Sequence, residues 1–141
     1  MKRELLKVLM GIVIIFGIAG CSSKGDGGGG GGGGTSEANL VVTLNPPVGT
    51  TQPAAPGDNF PLTVSITSAI PTQGVTIDVK AAPDGSTTNF FTESRSSTSA
   101  NNNFTITGTP VNVVCVTTVT VTSKSKPSNT WTGSYRYSRK P

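Results

Sequence analysis

The chain has 141 residues, 34% of them hydrophobic and 6% aromatic, with 18 glycines, 10 prolines and no histidine. That length suits one domain rather than two, and the lack of histidine excludes Ser-His-Asp and Cys-His nucleophiles and removes the commonest metal ligand. The net charge of +4 overstates how basic the working protein is: Lys2, Arg3, Lys7 and Glu4 crowd into the start of the chain, which leaves eight basic against six acidic residues in the remainder. The chain begins with that positive segment and continues into an apolar stretch over residues 8–19, broken only by Gly11 and Gly17. About 12 apolar residues is too short for the roughly 20 needed to span a bilayer as a helix. Small residues, Ala19 at its end and Gly20 after it, precede Cys21.

The run Ile18-Ala19-Gly20-Cys21 resembles the lipobox of bacterial lipoproteins, in which signal peptidase II cuts before the cysteine and lipid chains are attached to it. The resemblance implies that residues 1–20 are a signal peptide and that Cys21 is the lipidated first residue of the mature protein. A membrane is then the first expected partner. Each buried methylene contributes about 0.8 kcal/mol, so two or three chains hold a protein where one holds it marginally. Ser22 stands where the sorting rule for many Gram-negative lipoproteins uses aspartate for inner-membrane retention. In that family the substitution implies the outer membrane.

Residues 25–34 are glycine except for Asp26. Such a run has no side chains to bury and loses the most backbone entropy on ordering, so 21–37 reads as the lipidated cysteine plus a flexible tether. Counting residues 22–37, its expected reach is about 20–24 Å. A phosphate-cradling loop would need fixed glycine spacing between a strand and a helix, and that context is missing.

From residue 38 onward the composition turns to Val, Thr, Ser, Ile and Asn, which favours strands. Leu40, Val42 and Leu44 alternate with Val41 and Thr43 in a first strand, and Pro46-Pro47 and residues 53–58 interrupt it. Phe60, Leu62, Val64 and Ile66 form the cleanest period of two, and Val75, Ile77 and Val79 repeat it after a turn at 69–74. Pro83-Asp84-Gly85 is a turn by its φ preferences. Residues 87–92, with Phe90 and Phe91, predict a short strand, 93–103 a polar loop, and Phe104 with Ile106 a further strand. Val111, Val113, Cys115, Thr117, Val119 and Val121 share one parity. Residues 123–129 turn, and Trp131, Tyr135 and Tyr137 share a face of the last strand, opposite Thr132, Ser134 and Arg136. Seven strand candidates over 38–141 with no helix resemble an immunoglobulin-like or fibronectin-type antiparallel β-sandwich, although a closed barrel also fits the pattern. The Cys…Trp…Cys pattern of antibody domains is absent.

With Cys21 lipidated, Cys115 is the one remaining thiol. It lies among valines, where it acts as a small hydrophobe filling the core. The carboxylates beyond the glycine run are Glu37, Asp58, Asp78, Asp84 and Glu93. Asp84 suits a turn, Asp58 and Glu93 loops, Glu37 the tether, and Asp78 the polar face of a strand, so no paired-carboxylate hydrolase is expected. No D-x-D spacing suggests calcium, and neither a metal nor a cofactor is expected. Lys124, Lys126, Arg136, Arg139 and Lys140 make an acid-free tail of the kind that solubilises an edge strand or meets anionic lipid. An exported protein meets little nucleic acid, and none is expected as a partner. The sequence therefore reads as a non-enzymatic envelope lipoprotein with a structural or protein-interaction role. The alternative is a glycan- or ligand-binding module, with Trp131, Tyr135 and Tyr137 stacking on sugar rings.

Overall fold

A computed structural model describes residues 36–141. The signal peptide, Cys21 and the glycine run lie outside the described residues. The described chain is an all-β antiparallel sandwich of seven strands: β1 Val42–Asn45, β2 Phe60–Ile66, β3 Val75–Pro83, β4 Phe91–Ser97, β5 Asn101–Ile106, β6 Val114–Ser123 and β7 Thr130–Ser138. One sheet has the order β1-β2-β5 and the other β4-β3-β6-β7. The fourth strand thus joins the sheet of β3, β6 and β7, whereas constant-type immunoglobulin domains place it with the first, second and fifth.

The alternation in the sequence becomes the inside and outside of each sheet. Leu62, Val64 and Ile66 of β2 face Val75, Ile77 and Val79 of β3 and Val119 and Val121 of β6 across a common core, all essentially buried. Each such side chain contributes about 1.5–3 kcal/mol when fully buried, which fixes the register, since a slip of one residue would turn every one of them outward. Phe60 is only half-buried and packs at the rim of this core. Cys115 is fully buried, as a small apolar side chain would be, and burial pushes its thiol pKa up. The opposite parity carries hydroxyls: across the four-stranded sheet Thr76 lies between Ser96 and Thr122, and Thr120 lies between Asp78 and Thr132.

Two sequence expectations need correction. Residues 93–103 are not a loop: β4 runs from Phe91 to Ser97, and β5 begins at Asn101 after a short turn. Residues 87–90 instead belong to the β3–β4 connection. The reason is that β4 is an edge strand with no fully buried position, so its sequence has no apolar alternation to read. Its inward positions include Glu93 and Arg95. Arg95 pairs with Glu93, donates from Nη1 to the Asn103 carbonyl at 3.0 Å, and lies 4.4 Å over the Phe104 ring. It closes the side of the sandwich where β4 and β5 leave both sheets open. The second correction concerns Val111, which is 41% exposed because β6 starts only at Val114.

The connection after β1 positions the candidate site. β1 ends at Asn45, opposite Thr63, and the chain then leaves the three-stranded sheet. It crosses to the free edge of β7 and runs beside it in parallel, with bridges Thr51–Arg136 and Ala55–Arg139. Backbone N–H groups of Gly49, Gln52 and Ala55 donate to the carbonyls of Ser134, Arg136 and Ser138 at 2.8, 2.8 and 3.2 Å. This strap covers an edge that would otherwise present unpaired backbone groups. β1 ends before it reaches Pro61, which is why a proline is tolerated within β2: residues 60–62 pair with β5 alone.

Candidate functional site

The two ends of the sandwich are built differently. The proximal pole, where residue 36 enters, holds the β2–β3, β4–β5 and β6–β7 turns. Asn129 organises it: Nδ2 donates to Glu37 Oε1 at 2.6 Å and to the Ala38 carbonyl at 2.9 Å, while Oδ1 accepts from the Leu40 N–H at 2.9 Å. Asn129 is buried, and its side chain satisfies the incoming backbone before β1 begins. Glu37, read from the sequence as tether, is thus bonded to the domain. The Ser123 hydroxyl and the Asn129 amide hold its carboxyl below the usual range. Gly74 belongs to the same pole. At φ +78°, a Cβ there would lie 2.5 Å from the Ser97 carbonyl oxygen, so only glycine fits.

The distal pole gathers the long connections and is held by charge. Arg139 Nη1 donates to Asp58 Oδ1 at 2.9 Å and to the Thr109 carbonyl at 3.2 Å, joining the strap's continuation to the β5–β6 connection. Arg136 Nε donates to Asp84 Oδ2 at 2.9 Å, joining β7 to the β3–β4 turn. The Arg136 guanidinium holds the Asp84 carboxyl below its ordinary range. The acid-free tail is therefore not a free cationic patch: two of its five cations are paired with acids from distant segments. Asp58, Asp84 and Glu93, expected to be solvated or local, each hold an arginine.

Of the three aromatic residues expected to bind a ligand, Tyr135 and Tyr137 are each 2% exposed. Both rings turn towards the other sheet, where Tyr137 meets Phe60 with ring centroids 4.6 Å apart. The Tyr137 hydroxyl shares a 3.1 Å hydrogen bond with Thr109. Among the described residues, Tyr135 Oη has no hydrogen-bond partner, nor does Thr117 Oγ1 on the residue opposite it in β6. Burial pushes the Tyr135 phenol up to about 12 and raises that of Tyr137. Trp131 is half-buried and folds over Gly133, where a Cβ would fall 2.5 Å from the indole and 2.9 Å from Val48. The open, coplanar platform that sugar stacking requires is not formed. No protein-family model, curated protein or solved structure matches this chain.

What the distal half does form is a cleft of about 190 Å³. It exists because β1 leaves its sheet at Pro46. The strap, through Pro46, Gln52, Pro53 and Ala55, roofs a space whose floor is Phe60 and Pro61 of β2 and Tyr135 and Tyr137 of β7. Sequence reading missed the cleft because it depends on pairing between the strap and β7, some 85 positions apart. The proline spacing at 46, 53 and 61 was the one visible sign. Among the described residues, no group of three or more Cys, Asp or Glu side chains is placed to hold a metal ion.

Proposed function

We propose that the chain is a non-enzymatic lipoprotein of the cell envelope, cleaved before Cys21, held on the outer membrane by lipid at that residue, and acting in protein interaction or envelope structure through its β-sandwich. The observation that carries this reading is the asymmetry of the poles. At the entry end the buried Asn129 amide holds the incoming backbone beside an open groove of about 370 Å³ along the β2–β3 connection, while the longest connection, the aromatic-floored cleft and exposed Val111 and Val114 lie at or near the other end. A module tethered at one end, with its longest connection and an aromatic-floored cleft at the other, suits contact with a partner away from its attachment. The engagement of Asp58, Asp84 and Glu93 in ion pairs supports a scaffolding role for these carboxylates. The glycan alternative keeps only a half-buried Trp131 and gains no support from the buried tyrosines.

The test is metabolic labelling with an alkyne fatty acid, followed by membrane fractionation of the full chain and its Cys21→Ala variant. The wild type carries label and sediments with outer membranes. The variant carries none and leaves them. An unlabelled wild-type protein that still sediments with membranes contradicts the proposal.

A further inference from the structure

We infer that the cleft beneath the strap binds a single aromatic ring bearing one polar substituent, a ligand of phenol size. The inference goes beyond the anchored-module reading and does not depend on the lipid. Size comes first. A sealed cavity of roughly 150 Å³ accommodates benzene, and pockets for drug-sized ligands span about 300–1,000 Å³. At about 190 Å³ the cleft has room for one ring and not for a disaccharide.

Chemistry narrows the class further. The Tyr137 hydroxyl is held by Thr109 and the Tyr135 hydroxyl is shut off from solvent. The floor these residues make with Phe60 is therefore hydrocarbon, and Pro46 and Pro53 extend it on the strap side. Aromatic rings pack favourably on such a surface in offset or edge-to-face arrangements. A sugar would bury hydroxyls with too few partners, which is costly.

Gln52 supplies the polar contact, and its neighbours fix the orientation of its amide. Thr50 Oγ1 donates its one proton to the Pro47 carbonyl at 2.7 Å, so towards Gln52 it acts as acceptor. It receives Gln52 Nε2–H at 2.8 Å. The amide nitrogen therefore faces Thr50. Gln52 Oε1 and the second N–H have no hydrogen-bond partner among the described residues. One hydroxyl or ring N–H on the ligand matches what they offer. The same chemistry is found in a free small phenol and in a tyrosine side chain of a partner protein.

The test is an NMR titration of the isotopically labelled full chain in detergent micelles, with phenol, toluene, glucose and N-acetyltyrosinamide as probes. Ala55→Trp, which fills the cleft, serves as the reference for partitioning into the same micelles. Phenol should give saturable shifts at Gln52, Phe60 and Tyr137, with affinity at least tenfold weaker in Ala55→Trp. Gln52→Leu should weaken phenol severalfold and leave toluene unchanged, and it carries the test if Ala55→Trp fails to fold. Tighter binding of phenol than of the blocked tyrosine assigns the site to a free small molecule. The reverse order assigns it to a partner's side chain. Shifts that do not saturate, shifts unchanged by both substitutions, or glucose binding as well as phenol would overturn the inference.

Discussion

The proximal and distal poles close the same core by different means. At the proximal pole a buried asparagine satisfies backbone groups on the incoming chain, and Gly74 sits where a side chain would strike the Ser97 carbonyl. At the distal pole an exposed Arg136–Asp84 pair and a half-buried Arg139, bonded to Asp58 and the Thr109 carbonyl, clasp the connections, and a cleft remains open beneath the strap. A buried polar group that loses its partner costs about 1–3 kcal/mol, whereas exposed ion pairs are screened and contribute little. The buried amide of Asn129 should therefore tolerate substitution far less than the exposed Arg136–Asp84 pair at the other end.

The core both poles share sets the scale for that difference. Ile77→Ala should cost about 2–5 kcal/mol in denaturant unfolding, and Thr76→Ala, on the outward parity, should stay within about ±0.5 kcal/mol. Equal effects would mean that both faces of the sheet are covered. Next comes Gly74→Ala at the proximal pole, expected to cost about 1–3 kcal/mol because the Cβ meets backbone and φ is positive. Gly85→Ala at the distal pole shares the positive φ (+80°) but meets open space. It should cost less than the Gly74 substitution, and the comparison of poles breaks if it costs as much.

The two tyrosines refine the contrast within the distal half. Tyr137→Phe loses the hydrogen bond to Thr109 and should cost about 1 kcal/mol. Tyr135→Phe removes a buried hydroxyl without a partner and should be neutral or stabilising. Tyr135 also predicts a pH dependence. The unfolded phenol ionises near 10 while the folded one holds its proton to about 12. Between those values the folded state binds more protons, so its stability falls as pH rises, by at most about 1.4 kcal/mol per pH unit for this group. Unfolding of Tyr135→Phe measured at pH 9 and pH 11 should show a shallower decline than wild type, because only the contribution of Tyr137 remains of the two.

The strands legible in the sequence are those with one buried face. Phe60 to Ile66, Val75 to Val79 and Val119 to Val121 announce themselves because alternate side chains enter the core. β4 was illegible because, as an edge strand, it buries no position fully. β5 is legible only at Phe104 and Ile106, since its first half reads as an asparagine run. In the sequence Asn129 is simply one residue of a turn. Nothing local shows that its amide serves Leu40, 89 positions away. The arginine–carboxylate pairs and the cleft are equally non-local. Trp131, Tyr135 and Tyr137 were visible as a shared face, but a period of two does not say whether that face meets solvent or another sheet.

The difference between the poles is tested most directly by unfolding Asn129→Ala and Asp84→Asn side by side in the full chain, in the same buffer at neutral pH. The first leaves the buried Leu40 N–H without an acceptor and should lower stability by about 1–3 kcal/mol. The second removes an exposed carboxylate charge and should leave the unfolding midpoint unchanged within error. A midpoint lowered by Asp84→Asn as much as by Asn129→Ala would contradict the account, because the distal pole would then be bound into the fold as tightly as the proximal one.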